Sequence, residues 1–364
     1  MLKCKIKKQP DMTLRFDLSS HTEEERRSSM DLVKESFDNL MGTKYHEEYE
    51  WLFLQNPAGI GQVLIAYDGD KPVGQITSIP GRYRFMNTDF VTAIAGEWVC
   101  VSPKYRGQGI MSELINQIAN KNNFPFVIDL PNHDSMRGFL KSNYHPMYMK
   151  LLTRPLRMSR CFTHKKIPRA ILKPFDGIWR SRKKIVTTES TIEEYTSPKF
   201  DTRFDDLFEK ISNPTMIMQV RNSDFLNWRY KDIQSRNYKI LVSTKNGVIN
   251  GYIIIRLAIA YDIRVGFIMD FVPPNSEDGR NLIRLALKYF WDNKAAVAAS
   301  LCFPGRNEYG LLKSEGFFIC PERIRPYPYT LCVRPSNSNG NQFDTNMIID
   351  SKRWLFTFGD FQLH

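Results

Sequence analysis

The sequence predicts an α/β (α+β) protein made of two similar units, each a mixed, mostly antiparallel sheet with flanking helices. Three observations carry that expectation. The stretch Glu97–Ile118, EWVCVSPKYRGQGIMSELINQI, has the pattern of a strand, a tight glycine loop and an amphipathic helix. Ahead of it, VLIAYDGDKPVGQITSIPGRYRF has the pattern of an antiparallel hairpin around an Asp-Gly-Asp turn. Landmarks of the first half then return in the second. Trp51 and Trp228 are separated by 228 − 51 = 177 residues, and Gly74 and Gly251 by 251 − 74 = 177. Pro131 and Pro304, and Tyr144 and Phe317, are each separated by 173 (304 − 131, 317 − 144), as in a repeat that has lost a few loop residues.

In chain order, residues 13–18 (TLRFDL) form a first strand. Thr22, followed by three glutamates, caps a helix with Met30, Leu32, Val33, Phe37 and Leu40 on one face. A second helix covers Tyr45 to Leu54 and stops at Asn56-Pro57. The hairpin and a central strand follow, with Val99 and Val101 alternating with Cys100 until Pro103 ends the strand. Arg106, Gly107, Gln108 and Gly109 form the turn, and the helix starts near Ile110 and Met111. Phe124–Leu130 is a short buried strand, Pro131–Asp134 a loop, Ser135–Asn143 a short helix, and Tyr148–Thr153 a strand that closes the first unit. The expected division is a first unit at 1–155, a basic connector at 156–190, a second unit at 191–335 and a tail at 336–364. That tail opens on the polar SNSNGNQ, and the aromatics of SKRWLFTFGDFQLH are expected to dock it on the body.

The chain is 42% hydrophobic and 13% aromatic, ample for packed cores. No apolar run approaches the roughly 18 residues of a membrane span, and the basic start Met1–Lys5 lacks the apolar stretch of a secretory leader, so a cytoplasmic location is expected. The 6 cysteines are scattered, without a Cys-x-x-Cys pair, and the 6 histidines do not cluster, which points to a reduced protein with no metal. The net charge of +12 is concentrated between Arg154 and Glu189. That segment is either a solvated connector or a contact at 154–184 for an anionic surface such as lipid head groups. No nucleic-acid reader motif accompanies the charge.

A glycine turn ahead of a helix leaves backbone N–H groups unpaired at the positive helix end, a natural cradle for a pyrophosphate. The order here resembles motif A of the GNAT superfamily, the acyl-CoA-dependent N-acyltransferases: a strand ending in Val-x-Pro, then Arg/Gln-x-x-Gly-x-Gly/Ala. Arg106 and Gly109 match, and Met111 departs from the usual Gly or Ala. The resemblance covers about residues 10–155 and implies tandem GNAT-like domains, with the central strand splayed from its neighbour where acetyl-CoA binds. It also implies a cofactor-binding set of Val99, Cys100, Val101, Arg106, Gly107, Gln108, Gly109, Ile110, Met111 and Asn132, the last resembling an asparagine that commonly contacts the donor. In the second half the strand GFIMDFV is followed by PPNSEDGRN, where Glu277 and Asp278 would repel phosphates, so catalysis is expected in the first unit.

Acyl transfer to an amine needs a base, an oxyanion donor and a way to release the thiolate. Glu97, on the expected strand face of Val99 and Val101, is the candidate base, and a backbone N–H of Val99 or Val101 the oxyanion donor. In the family's Tyr-x-Lys-x-Gly-Phe pattern Phe139 occupies the place of the tyrosine, which leaves Tyr144 and His145 as candidate acids. A thiol pKa near 8.5 also lets the thiolate leave unaided. His133, at the end of the fifth strand, and Arg229, suited to an anionic acceptor, are candidate substrate contacts.

The phrases FVIDLPNHDSMRGFLKSNY and LNWRY resemble tandem GNAT proteins associated with bacterial polysaccharide and envelope biosynthesis, which implies an amino-sugar acceptor, free, nucleotide-linked or lipid-linked. Two other functions fit the same residues. Fem-type aminoacyl or peptidyl transferases also pair two GNAT-like domains but do not need an intact cradle. A non-catalytic CoA-binding module would use the basic segment to dock on an anionic partner.

Overall fold

The computed structural model describes residues 14–361 apart from 38, 122–123, 162–168, 180–182, 234, 261, 326 and 337–342. The Met1–Lys5 start, Lys165, Lys166, Arg180, Arg182 and most of the SNSNGNQ linker lie outside the described residues.

The first half opens with β1 (Leu14–Leu18). α1 (Glu23–Ser36) is capped by Thr22 in a capping box with Glu25, and three glutamates sit at its positive end. α2 (Asn39–Tyr49) starts earlier than the sequence suggested and runs into a π-helical turn ending at Leu54. The strands β2 (Gln62–Asp68), β3 (Lys71–Phe85) and β4 (Thr88–Ala95) form an antiparallel meander. Then come the two-residue β5 (Cys100–Val101), α3 (Ile110–Asn120), β6 (Phe126–Asp129), α4 (Met136–Lys141) and β7 (His145–Tyr148).

β8 (Lys150–Pro155) and two one-turn helices, α5 (Met158–Cys161) and α6 (Arg169–Leu172), lead into the second half. It comprises β9 (Thr191–Glu194), α7 (Thr202–Ile211), β10 (Ile217–Gln219), α8 (Ser223–Tyr230), β11 (Tyr238–Lys245), β12 (Val248–Ala260), β13 (Ile263–Val272), α9 (Ser276–Asp292), β14 (Val297–Cys302), α10 (Asn307–Ser314) and β15 (Phe318–Ile319). β16 (Thr330–Pro335), α11 (Thr345–Ile348) and β17 (Trp354–Leu355) end the described chain.

The two sheets fill corresponding places in the same order: β1-β2-β3-β4-β6-β16-β7 and β9-β11-β12-β13-β14-β8-β15. In each, the sixth place belongs to the other half of the chain. β16 lies between β6 and β7, and β8 lies between β14 and β15. The expected closing strand at 148–153 is thereby corrected. Met149 carries the chain from one sheet to the other, and Thr330–Pro335 closes the first sheet rather than the second. The cause lies in burial. Leu151 and Leu152 point to opposite faces and need an apolar layer on each; the slot beside β14 gives Leu151 the core between the sheets and Leu152 the core under α9. β10 and β17 extend the first sheet beside the far end of β3, so the tail docks as its aromatics suggested.

Three apolar layers result. Ile110, Leu114, Ile115 and Ile118 of α3 cover the outer face of the first sheet, and Leu282, Ile283, Ala286 and Phe290 of α9 cover that of the second. Between the sheets lies a shared core that includes Ile79, Ile254, Trp354 and Phe358. At its centre Trp51 and Trp228, the pair separated by 177, stack at 4.8 Å. Trp51 Nε1 donates to the Trp228 carbonyl at 2.7 Å, and Trp228 Nε1 donates to the Trp51 carbonyl at 2.9 Å. A reciprocal pair of this kind is what two equivalent elements make across a local two-fold axis.

Candidate active site

The first sheet opens where β4 bends. β4 runs parallel to β6 at Ala93 with Val127 and Ile94 with Ile128. Gly96 to Val99 then makes a turn closed by Val99 N–H donating to the Gly96 carbonyl at 3.1 Å, with φ +143° at Gly96 and +58° at Trp98. A side chain at 96 is excluded, because its Cβ would stand 2.5 Å from Asp129 Oδ2 and 2.6 Å from Phe139 Cζ. The chain resumes as β5, which pairs with Gly74 and Gln75 of β3. A wedge is left between β5 and β6. The period-two alternation expected from Glu97 to Val101 is interrupted by this turn: Glu97 and Trp98 stand in it, with Val99 after them, and regular strand returns at Cys100.

The glycine loop lies at the mouth of the wedge. Gly107 and Gly109 have φ +81° and +86°, and a Cβ at either would meet nothing within 4 Å, so the loop presents bare backbone. No side chain caps α3, which starts at Ile110 as the sequence indicated. These features fit a pyrophosphate, since the first-turn N–H groups stay available at the positive end of the helix. Arg106 does not point out at a phosphate. Its Nε donates to the Val101 carbonyl at 3.1 Å and its Nη2 to the Ser36 carbonyl at 3.3 Å, which fixes the loop. Gln108 is exposed. Met111 is accommodated by Gly138, on which its Cε rests, so α3 and α4 approach closely. Cys100 is buried, and burial pushes its thiol up to about 12, too high for a nucleophile.

Beneath the wedge lies a carboxyl pair of which the sequence suggested one member. Asp129, at the end of β6, is only 4% exposed. Burial, and then the charge of Glu97, raises its carboxyl well above the ordinary carboxylate range. The buried Tyr144 hydroxyl has no partner among the described residues; burial and then Asp129 push it up. Its ring packs edge-on against Phe139 at 5.0 Å. Tyr327, whose hydroxyl donates to the Leu130 carbonyl, is raised by burial, Asp129 and Glu97 in turn. The signal for Asp129 was present: it is the lone charge in the apolar run FVIDL, at the C-terminal end of a parallel strand.

The other candidates lie apart from this pair. His145 is exposed on β7, separated from β6 by β16. Asn132 Oδ1 accepts from Asp134 N at 3.0 Å and from Ser135 N at 2.8 Å, forming the turn into α4, and His133 is exposed on that turn. Arg229 is 1% exposed; its Nε and Nη2 donate to the Gly359 and Phe361 carbonyls, each at 2.8 Å, so it clamps the tail.

Glu97 and Arg229 nevertheless meet at one small cavity between the sheets that opens to solvent. Tyr83, Gln219, Trp228 and the tail residues Gly359, Asp360 and Phe361 share its wall. These residues come from three distant parts of the chain, and no sequence pattern joins them. Among the described residues no cluster of His, Cys, Asp and Glu is arranged to hold a metal, and no helix is long and apolar enough to cross a membrane.

Residues 17–128 match the family described as acetyltransferase (GNAT) domain. The chain carries a GNAT domain there and is an acyltransferase. Solved structures share the fold over most of the length. A probable N-acyltransferase from Enterococcus faecalis V583 is 16% identical, with TM-score 0.62, over 89% of this chain and 72% of that one. A GCN5-related N-acetyltransferase from Anabaena variabilis is 14% identical, with TM-score 0.62, over 88% and 73%. The Saccharomyces cerevisiae N-myristoyltransferase, solved with myristoyl-CoA, is 11% identical, with TM-score 0.56, over 88% and 82%. No curated protein matches the sequence.

Proposed function

We propose that the protein transfers an acetyl group from acetyl-CoA to a primary amine, with an amino sugar as the first acceptor to test. The observation that carries this is the uncapped glycine cradle of α3 opening into a wedge beside Glu97 and Asp129. The backbone of Gly107 to Met111 holds the pyrophosphate, and Val99 to Val101 line the path of the pantetheine arm. Burial and the charge of Glu97 hold the Asp129 carboxyl well above the ordinary carboxylate range, which favours Glu97 as the group that accepts a proton. The amine nitrogen forms a bond to the thioester carbonyl carbon and gives its proton to Glu97, directly or through water. The oxyanion collapses, the carbon–sulfur bond breaks, and CoA leaves as a thiolate that takes a proton from solvent. Tyr144, buried behind Asp129, supports the pair rather than serving as a solvent-linked acid.

We place the reaction in the cytoplasm, where acetyl-CoA is made and used. Arg154, Arg157 and Lys183 of the basic segment donate to carbonyls of the second half, so an anionic surface would meet the exposed Arg160, Lys173 and Lys184.

The test is thermal unfolding with and without acetyl-CoA. Donor at 100-fold over Kd adds about 2.7 kcal/mol. Gly109→Asp puts a carboxylate in the cradle, at a φ of +86° that strains any side chain but Asp less than most, and is expected to abolish the shift. A folded wild-type protein that shows no shift refutes the proposal.

A further inference from the structure

Two polar groups in the wall of the inter-sheet cavity are buried and have no hydrogen-bond partner among the described residues. Tyr83 is 1% exposed and its hydroxyl is unpaired; Gln219 is 7% exposed and one end of its amide, Oε1, is unpaired. A third, the Tyr230 hydroxyl, lies directly behind Gly359 of the wall. Buried polar groups are almost always satisfied, so a cavity with unsatisfied groups in its lining is built for a polar occupant.

The charges say which kind. Arg229 is the cation of the described wall, and two of its nitrogens are committed to tail carbonyls. Arg221, behind the wall, is committed to Asp270 and Asp360 at 3.0 and 2.8 Å. The acids Glu97 and Asp360 both line the cavity. A phosphate or carboxylate would meet Glu97, with Asp360 already held by Arg221, and no uncommitted cation among the described lining residues. Phe225, Trp228 and Phe361 add an aromatic side suited to the C–H face of a ring or short chain.

We propose that this cavity is the acceptor site and takes the reacting end of a hydroxyl-bearing amine that has no anionic group. The Tyr83 hydroxyl and the Gln219 amide hold its hydroxyls, and its nitrogen points to Glu97. The second half of the chain, through β10, α8 and the tail, supplies most of the recognition. Arg229 accordingly shapes the site by holding the tail and does not bind an anionic acceptor. This rests on the acyl-transfer function proposed above.

The experiment uses the full chain with acetyl-CoA and follows thiol release. Two pairs of amines that differ by an anionic group are compared: glucosamine with its phosphate ester, and serinol with serine. In each pair the member without the anion is expected to have about tenfold or more the higher kcat/KM. Tyr83→Phe and Gln219→Leu are each expected to raise the acceptor KM about fivefold or more while leaving the KM for acetyl-CoA and the Tm unchanged. A preference for the anionic members overturns the inference. So does an unchanged acceptor KM in both variants, or a protein stabilised by acetyl-CoA that uses none of these amines; in all three cases the acyl-CoA function stands. A wild-type protein that acetyl-CoA does not stabilise refutes that function, and the inference falls with it.

Discussion

The first sheet parts beyond its parallel pair and leaves a wedge; in the second sheet the tail lies at the matching place, beside the ends of β13 and β14. There Phe271, Leu301, Cys302 and Phe303 line a cavity together with Trp354, Leu355, Phe356 and Thr357 of the tail. The helices after the two central strands differ in the same sense. Gly109 leaves α3 uncapped, whereas Asn275 accepts from the N–H groups of both Glu277 and Asp278 at 2.9 Å and closes the end of α9. Asp278 is held in turn by Thr188 and Ser190. The counterpart of Asp129 in the repeat is Cys302, since 302 − 129 = 173. One fold is therefore finished differently in its two copies. The difference is made in three places: what caps the helix, how many acids sit in its first turn, and what lines the opening beyond the parallel pair.

The largest test of this contrast is catalytic. Glu97→Gln is expected to lower kcat for thiol release by about 10²- to 10⁴-fold without loss of acetyl-CoA stabilisation, while Cys302→Ser in the second copy leaves kcat unchanged. Equal losses in both would erase the division of labour.

The next concerns what the copies share. Trp51→Ala and Trp228→Ala should each cost about 3–5 kcal/mol in urea unfolding, as for other buried Trp truncations. The double variant should lose less than the sum, because each ring is the other's partner. Strongly unequal single losses would show that the two-fold relation is geometric but not energetic.

Smaller still is the cap. Asn275→Ala should cost about 1 kcal/mol and leave the KM for acetyl-CoA unchanged, since α9 binds no donor. A change in that KM would show that the second copy takes part in donor binding.

The smallest effect is a slope with pH. The folded chain holds the Asp129 proton to higher pH than the unfolded chain does. Below about pH 3.9 both forms are protonated and the group adds nothing. As pH rises above that, the unfolded chain ionises first, and stability declines until the folded carboxyl ionises too. The groups around it, Glu97, Tyr144, Tyr327 and Cys332, are acids rather than cations, so nothing there reverses the sign. Asp129→Asn should therefore gain on wild type as pH rises from about 4 to 7, followed as Tm. A gap that does not vary with pH would mean that Asp129 is ionised in the folded chain.

Local chemistry was legible in the sequence. Thr22 with Glu25 marked the start of α1, Gly109 and Ile110 marked the start of α3, and the spacing of the two tryptophans marked the repeat. Features that depend on which strands meet were not. The strand slots beside β6 and β14 ask for the same short apolar pattern, so nothing in Lys150–Pro155 or Thr330–Pro335 says which sheet it joins. The turn at Gly96–Val99 rests on a tryptophan in a left-handed conformation, which propensity disfavours and packing imposes. The proposed donor side lies on one continuous stretch, which a sequence pattern can display. The proposed acceptor side joins β3, β10, α8 and the tail, which no sequence pattern joins.

The exchanged strands also set a timetable. Asp129 pairs with Cys332, 332 − 129 = 203 residues later. At about 5–20 residues per second of synthesis, the ribosome needs on the order of 10–40 s to deliver the strand that completes the first sheet. For that interval the nascent chain has an open slot between two apolar strands, the kind of edge that recruits stray strands or a chaperone. A fragment ending after β7 would keep that slot open permanently. The first half therefore completes its sheet only when the second half has been made.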